Sequence, residues 1–589
     1  MDAIRFQVFQ NGDDAFLVWQ IDEAIPDCLG FAVFRKRNNR EEVVHSNAGF
    51  EDEKWNRGDH KPSTTWPIQK FMWTDYLANP GDTVSYRIVP MVGPDRLHMV
   101  PNWERASRWS SPVKIDPQIG KRFAVYFNRG IVATQWVQRL LGGSKKGIAE
   151  RKRALDVAIS DVSRPYARNS LSGELRKGLL SLLEKAKAEK LRVYAALFEL
   201  ADRELVDALS NLGANAYVVL ADGAVKGKKK RDKADDNDLP ASKRPIKDEN
   251  KAARDKLRDA DVEIHNRMTK GRFLAHNKLL VVCDRDGAAR WIWTGSTNWT
   301  PSGLCTQANN GILIDDKAVA DHALNYIKCL ASYQGQSPKD LAKKNSTPLR
   351  ERAADGQVTL WFTRTLKQID LVDAKKKIAN ARKGILFLMF QTGAKGSLLE
   401  AVMNRRKDKG FYIHGVISSP PVMGGTKKGA ARRKKRKLTP EEALAKRIGF
   451  VHRNERIRYA PDLLLPFAQE NAMGGRWFRE FVKKNGAHAI VHSKIVVIDP
   501  CGENPIVMTG SHNMGKTASQ KNDENLVIIE GNKELAQAYA VNIMSIYNNY
   551  RWRYRSAQGS KWRGSYINDR WQESYLSGDK KQELNFWLA

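Results

Sequence analysis

The chain has 589 residues and a formal net charge of +33; it is long for one core and far more basic than solubility requires, so about three domains and a polyanionic partner are expected. Five cysteines, at 28, 283, 305, 329 and 501, are odd in number and show no Cys-x-x-Cys spacing, which argues against a secreted disulfide framework and for a reducing, cytoplasmic compartment. Met1-Asp2-Ala3-Ile4-Arg5-Phe6 lacks the apolar stretch of a signal peptide, and no apolar run reaches the about 18 residues of a membrane span, so neither an export signal nor an anchor is expected.

Residues 1–118 alternate in short segments, Ala15–Trp19, Gly30–Phe34 and Thr83–Val89, between turn signals such as Asn11-Gly12-Asp13-Asp14 and Asn79-Pro80-Gly81-Asp82. This spacing predicts an antiparallel β-sandwich. Trp19 as an early core tryptophan and Tyr86-Arg87-Ile88-Val89 as a late strand resemble a fibronectin type III module. Trp55, Trp66, Phe71, Trp73 and Tyr76 read as a core and its rim, with an aromatic binding face as the alternative.

Beyond residue 118 helix and strand patterns alternate. The periodicity predicts a helix over Leu171–Glu189, a strand over Arg192–Phe198, a helix over Asp202–Leu212 and a strand over Ala216–Leu220. The same order returns in a helix at Ile369–Ala381, a strand at Gly384–Phe390, a helix at Leu398–Lys409 and a strand at Ile413–Ile417. Closing helices follow at Lys317–Ser332 and Lys533–Tyr547. Such alternation predicts an α/β fold of parallel sheets in two halves, 119–350 and 351–589, preceded by the sandwich at 1–118.

After the second strand of each half comes a basic stretch: Lys228-Lys229-Lys230-Arg231 within 223–258, and Arg432-Arg433-Lys434-Lys435-Arg436-Lys437. Their composition favours disorder, and loops at the carboxyl ends of such strands line ligand crevices, so two basic arms gripping phosphates are expected. A solvated linker, or a nuclear localisation signal at 432–437, are the alternatives. Cations interleave with aromatic residues from Tyr550 to Arg555, at Lys561-Trp562-Arg563, and at Tyr566 and Arg570-Trp571, a mixture that suits unpaired bases or a lipid interface, although packing is the commoner fate of tryptophan.

One constellation occurs twice. His276-Asn277-Lys278, Asp284 and Gly295-Ser296-Thr297-Asn298 are matched by His492-Ser493-Lys494, Asp499 and Gly510-Ser511-His512-Asn513, 216 residues later from His to His. Asn310 and Asn525 then precede apolar runs. The runs after each Lys read as buried strands, in which i and i+2 share a face, so each His and Lys point to one spot. Two imidazoles, two fixed cations and asparagine donors suit a phosphate in transfer, one imidazole attacking and the other protonating the leaving oxygen.

At these residues the chain resembles the phospholipase D superfamily, whose signature is His-x-Lys-x4-Asp followed by Gly-[Ser/Gly]-x-Asn. The second copy fits it; the first has one residue more, so Cys283 or Asp284 takes the Asp position. The resemblance implies two pseudo-symmetric α/β halves facing each other with both motifs at the junction, so that a monomer completes the site. Asp284, Asp499, Gly295, Ser296, Gly510 and Ser511 are expected to be structural.

Glu524, beside Asn525, is matched in the first half by Asn309. A carboxylate stabilises a protonated imidazole; if Glu524 touches His492, that ring is kept as proton donor and His276 attacks to form a phosphohistidine. Lys278, Lys494, Asn298 and Asn513 hold the nonbridging oxygens. No metal or other cofactor is expected. The favoured reading is a nuclease on DNA or RNA. A phospholipase D acting on anionic membranes is the second, with Pro420–Met423 or Asp462–Phe467 as acyl access, and an inactive nucleic-acid-binding protein the third.

Overall fold

The computed structural model describes residues 4–55, 59–129, 148–223, 248–269, 273–334, 339–390, 396–418, 449–451, 458–459, 491–557, 564–578 and 580–588. The arms at Lys228–Arg231 and Arg432–Lys437, and the segments Pro420–Met423 and Asp462–Phe467, lie outside the described residues.

The N-terminal stretch is all β. Ile4–Gln10, Ala15–Ile21 and Met72–Asp75 form one antiparallel sheet; Val113–Lys114, Thr83–Val92, Cys28–Arg37 and Arg40–Val43, in that order, belong to a second. Alternating side chains bury Trp19, Phe31, Phe71 and Tyr86. Trp19 meets Phe31 edge to face at 5.6 Å, and Tyr86 donates to Asp75, which is also paired with the buried Arg35. Among the five aromatic residues considered as a binding face, Trp66 and Phe71 are buried in the core and Tyr76 is exposed.

The first α/β half contains β1 (Phe123–Phe127), α1 (Tyr166–Ala188), β2 (Val193–Leu197), α2 (Arg203–Ser210), β3 (Ala216–Ala221), β4 (Lys278–Cys283), β5 (Ala289–Gly295), β6 (Asn310–Asp315) and α3 (Lys317–Tyr333). The second repeats it with β7 (Gly356–Phe362), α4 (Ile369–Ala379), β8 (Gly384–Met389), α5 (Leu398–Asn404), β9 (Tyr412–Ile417), β10 (Lys494–Ile498), β11 (Ile506–Gly510), β12 (Asn525–Glu530) and α6 (Lys533–Ala557). Strand order is β1-β6-β5-β4-β2-β3 in one sheet and β7-β12-β11-β10-β8-β9 in the other, so the halves are superposable in topology as the repeated patterns predict.

The expectation of parallel sheets needs correction. Among the described residues the parallel pairs are those joined through a helix, β2 with β3, β3 with the edge strand Glu263–Arg267, and β8 with β9; the pairs that carry the motifs, such as β4–β5 and β10–β11, are antiparallel. The reason is connection length: a short turn reverses the chain after each motif strand, whereas a parallel neighbour requires a crossover. Strand burial is complete along β2, β4, β8, β9 and β10, as expected for strands covered on both faces. On α6, Leu535, Tyr539, Ile543 and Tyr547 recur every fourth residue and are all buried.

The C-terminal aromatic residues do not form a stacking platform where they are described. Tyr550 is fully buried; Trp571 is 5% exposed, donates to the Cys28 carbonyl at 2.8 Å and lies 5.8 Å from the Phe31 ring. Packing against the N-terminal sheets consumes the apolar surface that base stacking would need. Tyr566 is exposed; the side chains of Arg551–Arg555, and residues 561–563, lie outside the described residues.

Candidate active site at the junction of the halves

Each motif sits where a strand begins. Lys278 and Lys494 open β4 and β10, and each folds back so that its Nζ donates to the carbonyl of its own histidine, at 2.8 Å to His276 and 2.5 Å to His492. All four side chains are at least nine-tenths buried. A phenylalanine just beyond β2 or β8 packs on each set: the Phe198 ring is 4.7 Å from the His276 ring and 4.9 Å from Lys278 Nζ, and Phe390 is 4.6 Å from His492 and 5.0 Å from Lys494.

The glycine of each Gly-Ser-x-Asn is required by backbone proximity. Gly295 (φ 148°) and Gly510 (φ 128°) lie so close to the next strand that a Cβ would stand 2.2 Å from the Asn310 carbonyl oxygen and 2.4 Å from that of Asn525. That approach lets Ser296 Oγ accept from the Asn310 amide and Ser511 Oγ from the Asn525 amide, at 3.1 and 3.0 Å. Asn310 Nδ2 then donates to Thr509 of the opposite half at 2.8 Å, and Thr294 donates to Asn525 Oδ1 at 2.7 Å.

The histidines are partnered across the same junction. His276 Nδ1 is 2.9 Å from Glu524 Oε1, and His492 Nδ1 is 2.9 Å from Asn309 Oδ1. The sequence-based expectation that Glu524 touches His492 is thus corrected: the loops before β6 and β12 cross over, because the His276 amide donates to the Asp523 carbonyl and the His492 amide to that of Ala308. Asn309 is locked in orientation, its Nδ2 donating to the Gly303 carbonyl at 2.8 Å and its Oδ1 accepting from Ser296 at 2.7 Å. His492 therefore carries its neutral-state proton on Nδ1, and Nε2, 3.3 Å from Lys494 Nζ, holds the lone pair.

The site is short of negative charge. Burial, then the Lys278 cation, pull His276 down to about 4, against the opposing pull of Glu524. Burial lowers Lys278 to about 7, and holds His492 and Lys494 well below their usual values with help from the neighbouring lysines. Glu524 resists the upward push of burial and is held near 2, chiefly by His276. An anion between the motifs would return protons to these groups.

Asn298 and Asn513 are each held by a carboxylate: Asn298 Nδ2 donates to Glu199 at 2.6 Å, and Asn513 Nδ2 to Glu524 at 3.4 Å. Asp499 accepts from the amides of Arg382, Lys383 and Gly384 and so anchors the start of β8. Asp284 does not do the same for β2. It accepts from the Asp286 and Ala288 amides inside the β4–β5 turn, while Cys283 takes the strand position that matches Asp499, donating to the Arg192 carbonyl. A bulge at Val282/Cys283 absorbs the extra residue.

Several supporting residues escaped the sequence reading. Asp523 is fully buried between Arg267 (2.9 Å) and Arg364 (3.1 Å), fixing the Glu524 loop. His512 and Asp370 pair at 3.0 Å, both fully buried behind Asn513. The two phenylalanines were legible only as the last apolar residue of equivalent strands. Among the described residues, no group of three or more His, Cys, Asp or Glu is placed to hold a metal ion.

A family model described as "Cardiolipin synthase, PLD-like domain" matches residues 179–330 and 375–547, more than half of the chain. The N-terminal sheets lie outside those segments, so their likeness to fibronectin type III remains a proposal. No match was found among curated proteins. Solved structures with similarity include phosphatidylserine synthase from Haemophilus influenzae Rd KW20, at 13% identity and a TM-score of 0.40, with 71% of this chain and 94% of that one covered. Polyphosphate kinase from Porphyromonas gingivalis follows at 11% identity and a TM-score of 0.34, covering 59% of this chain, which spans only 42% of the kinase. The phospholipase D family member Nuc from Salmonella typhimurium has 15% identity and a TM-score of 0.18, covering 33% and 95%. Since the family model covers more than half of the chain and its two segments enclose both His-x-Lys sets, the chain belongs to the phospholipase D-like family.

Proposed function

We propose that the protein is a phosphodiesterase that cleaves nucleic acid through a phosphohistidine on His276. The observation that carries the assignment is the difference between the two cross-junction partners, a carboxylate on His276 and an amide on His492. With Glu524 on His276, the proton-donor role expected for the carboxylate's partner is set aside, and the assignment rests on the charge of the phosphorylated ring. An imidazole bonded to phosphorus through Nε2 is cationic, and a carboxylate on its Nδ1–H stabilises that charge while leaving Nε2 as the attacking lone pair.

In the first step His276 Nε2 attacks phosphorus, the bond to the leaving alkoxide breaks, and His492, which takes up a second proton on Nε2 when the phosphate binds, gives that proton to the departing oxygen. In the second, His492 takes a proton from water, the oxygen of that water attacks phosphorus, and the P–N bond breaks to restore His276. Lys278 and Lys494 balance the nonbridging oxygens, with Asn298 and Asn513 as directed donors. A net charge of +33 supports a polyanionic substrate.

A second reading, phosphatidyl transfer on phospholipid, is favoured by the lipid enzyme in the description of the matched family. Purified protein in EDTA, offered plasmid DNA, single-stranded DNA, RNA and phosphatidylglycerol vesicles, separates the two. Nucleic-acid cleavage that is lost in His276→Ala and His492→Ala supports the nuclease; glycerol release with intact nucleic acid overturns it in favour of the lipid reading.

A further inference from the structure

Glu199 is not part of either motif, yet the fold holds it at the site by its main chain. The preceding residue, Phe198, meets the His276 ring edge to face; its amide donates to the Asn277 carbonyl, inside the first motif, at 2.9 Å. Buried Asn250 clamps both neighbours, Nδ2 donating to the Phe198 carbonyl and Oδ1 accepting from the Leu200 amide, each at 2.9 Å. The Glu199 carbonyl itself accepts from Trp299, the residue after Asn298, at 3.1 Å. With the backbone fixed on three sides, the carboxylate meets Asn298 Nδ2 at 2.6 Å.

In the second half the residue after Phe390 in sequence is Gln391, which carries no charge. There the motif asparagine, Asn513, is held by Glu524. We propose, on the phosphodiesterase reading above, that Glu199 is a positioning residue: it orients the Asn298 amide for a nonbridging oxygen and serves Lys278 as counter-ion until the substrate phosphate arrives. An asparagine amide has two N–H donors, and fixing one on a carboxylate leaves the other for the phosphate.

Among the described residues, the charged and titratable groups around Lys278 are Glu199, Glu524, His276, His492 and Lys494. After burial, which lowers its proton affinity, the largest influence on Lys278 is the opposing one of Glu199. Removing that carboxylate makes Lys278 lose its proton at lower pH. Glu199→Gln keeps an oxygen for Asn298 and loses the charge, whereas Glu199→Ala loses both, so the two variants separate the hydrogen bond from the counter-ion.

The test is hydrolysis of bis(p-nitrophenyl) phosphate by the full chain across pH 6 to 9, with tungstate affinity measured over the same range by calorimetry. Glu199→Ala should lower kcat by about 10²-fold. Glu199→Gln should recover most of that loss at pH 6, and in both variants the alkaline limb of kcat/KM, and of tungstate binding, should move about half a pH unit or more to the acid side. Wild-type kcat and unmoved limbs in Glu199→Ala overturn the proposal. So does a Gln variant as slow as the Ala variant with limbs unmoved, which marks a structural role. A wild type that hydrolyses the small diester but no nucleic acid defeats the nuclease reading and leaves the test of Glu199 standing. If the wild type hydrolyses no diester, catalysis fails as a reading, and the tungstate limb alone decides whether Glu199 is the counter-ion.

Discussion

Glu524 and Asn309 occupy matching places in the two halves and differ by one functional group, which is where an otherwise symmetric site acquires direction. Glu524→Gln keeps the hydrogen bond to His276 and removes the charge that would balance a phosphorylated ring, so kcat should fall by about 10²–10³-fold in steady-state cleavage of a small diester. Lys278, at about 7 because burial disfavours its charge, links anion binding to proton uptake. Above that pH the free site has lost the proton that the bound site needs, so affinity falls as pH rises. The Kd for tungstate should rise by about tenfold between pH 7.5 and 8.5 in calorimetry, and a flat Kd would contradict the assigned charge states.

At the scale of elements, the short reversing turns and the Gly-Ser-x-Asn loops bring the halves together. Gly510→Ala forces a Cβ to within 2.4 Å of the Asn525 carbonyl at φ 128°, and should reduce stability by about 3 kcal/mol in denaturant unfolding. Much of this arrangement is readable from residues alone: buried apolar runs mark the strands, and period 2 places each His and Lys together. What was not readable is pairing between distant segments. The loops of Glu524 and Asn309 cross to the opposite histidine through main-chain bonds from His276 to Asp523 and from His492 to Ala308, which leave no pattern in either loop. Glu199 was invisible for a related reason, since it is brought to Asn298 by Asn250 and Trp299 and by no feature of its own neighbourhood. Trp571 stayed open between packing and a binding face because interleaved cations look the same whether the ring faces solvent or another part of the chain.

For the molecule as a whole, the C-terminal residues tie the first domain to the catalytic halves. Trp571 and Trp587 are buried against the N-terminal sheets, Trp587 lying 4.9 Å from Phe16. Trp571→Ala should therefore destabilise the chain by about 3–5 kcal/mol, seen as a lowered Tm, although it is remote from the histidines. If nucleic acid is the substrate, log Kd should depend linearly on log salt with a steep slope, and neutralising Lys228–Arg231 and Arg432–Lys437 should flatten it; a slope unchanged by that substitution would remove the arms from the account.

The most direct measurement is to trap the covalent adduct. In EDTA, His276 of the His492→Ala protein should still attack the phosphorus of bis(p-nitrophenyl) phosphate, because p-nitrophenolate leaves without a proton donor, and breakdown of the adduct should then stall. Peptide mass spectrometry of the quenched reaction should find the phosphoryl ester on His276, and none in His276→Ala. An adduct on His492 in the His276→Ala protein, with none on His276 in the converse variant, would reverse the roles of the two histidines and contradict the account.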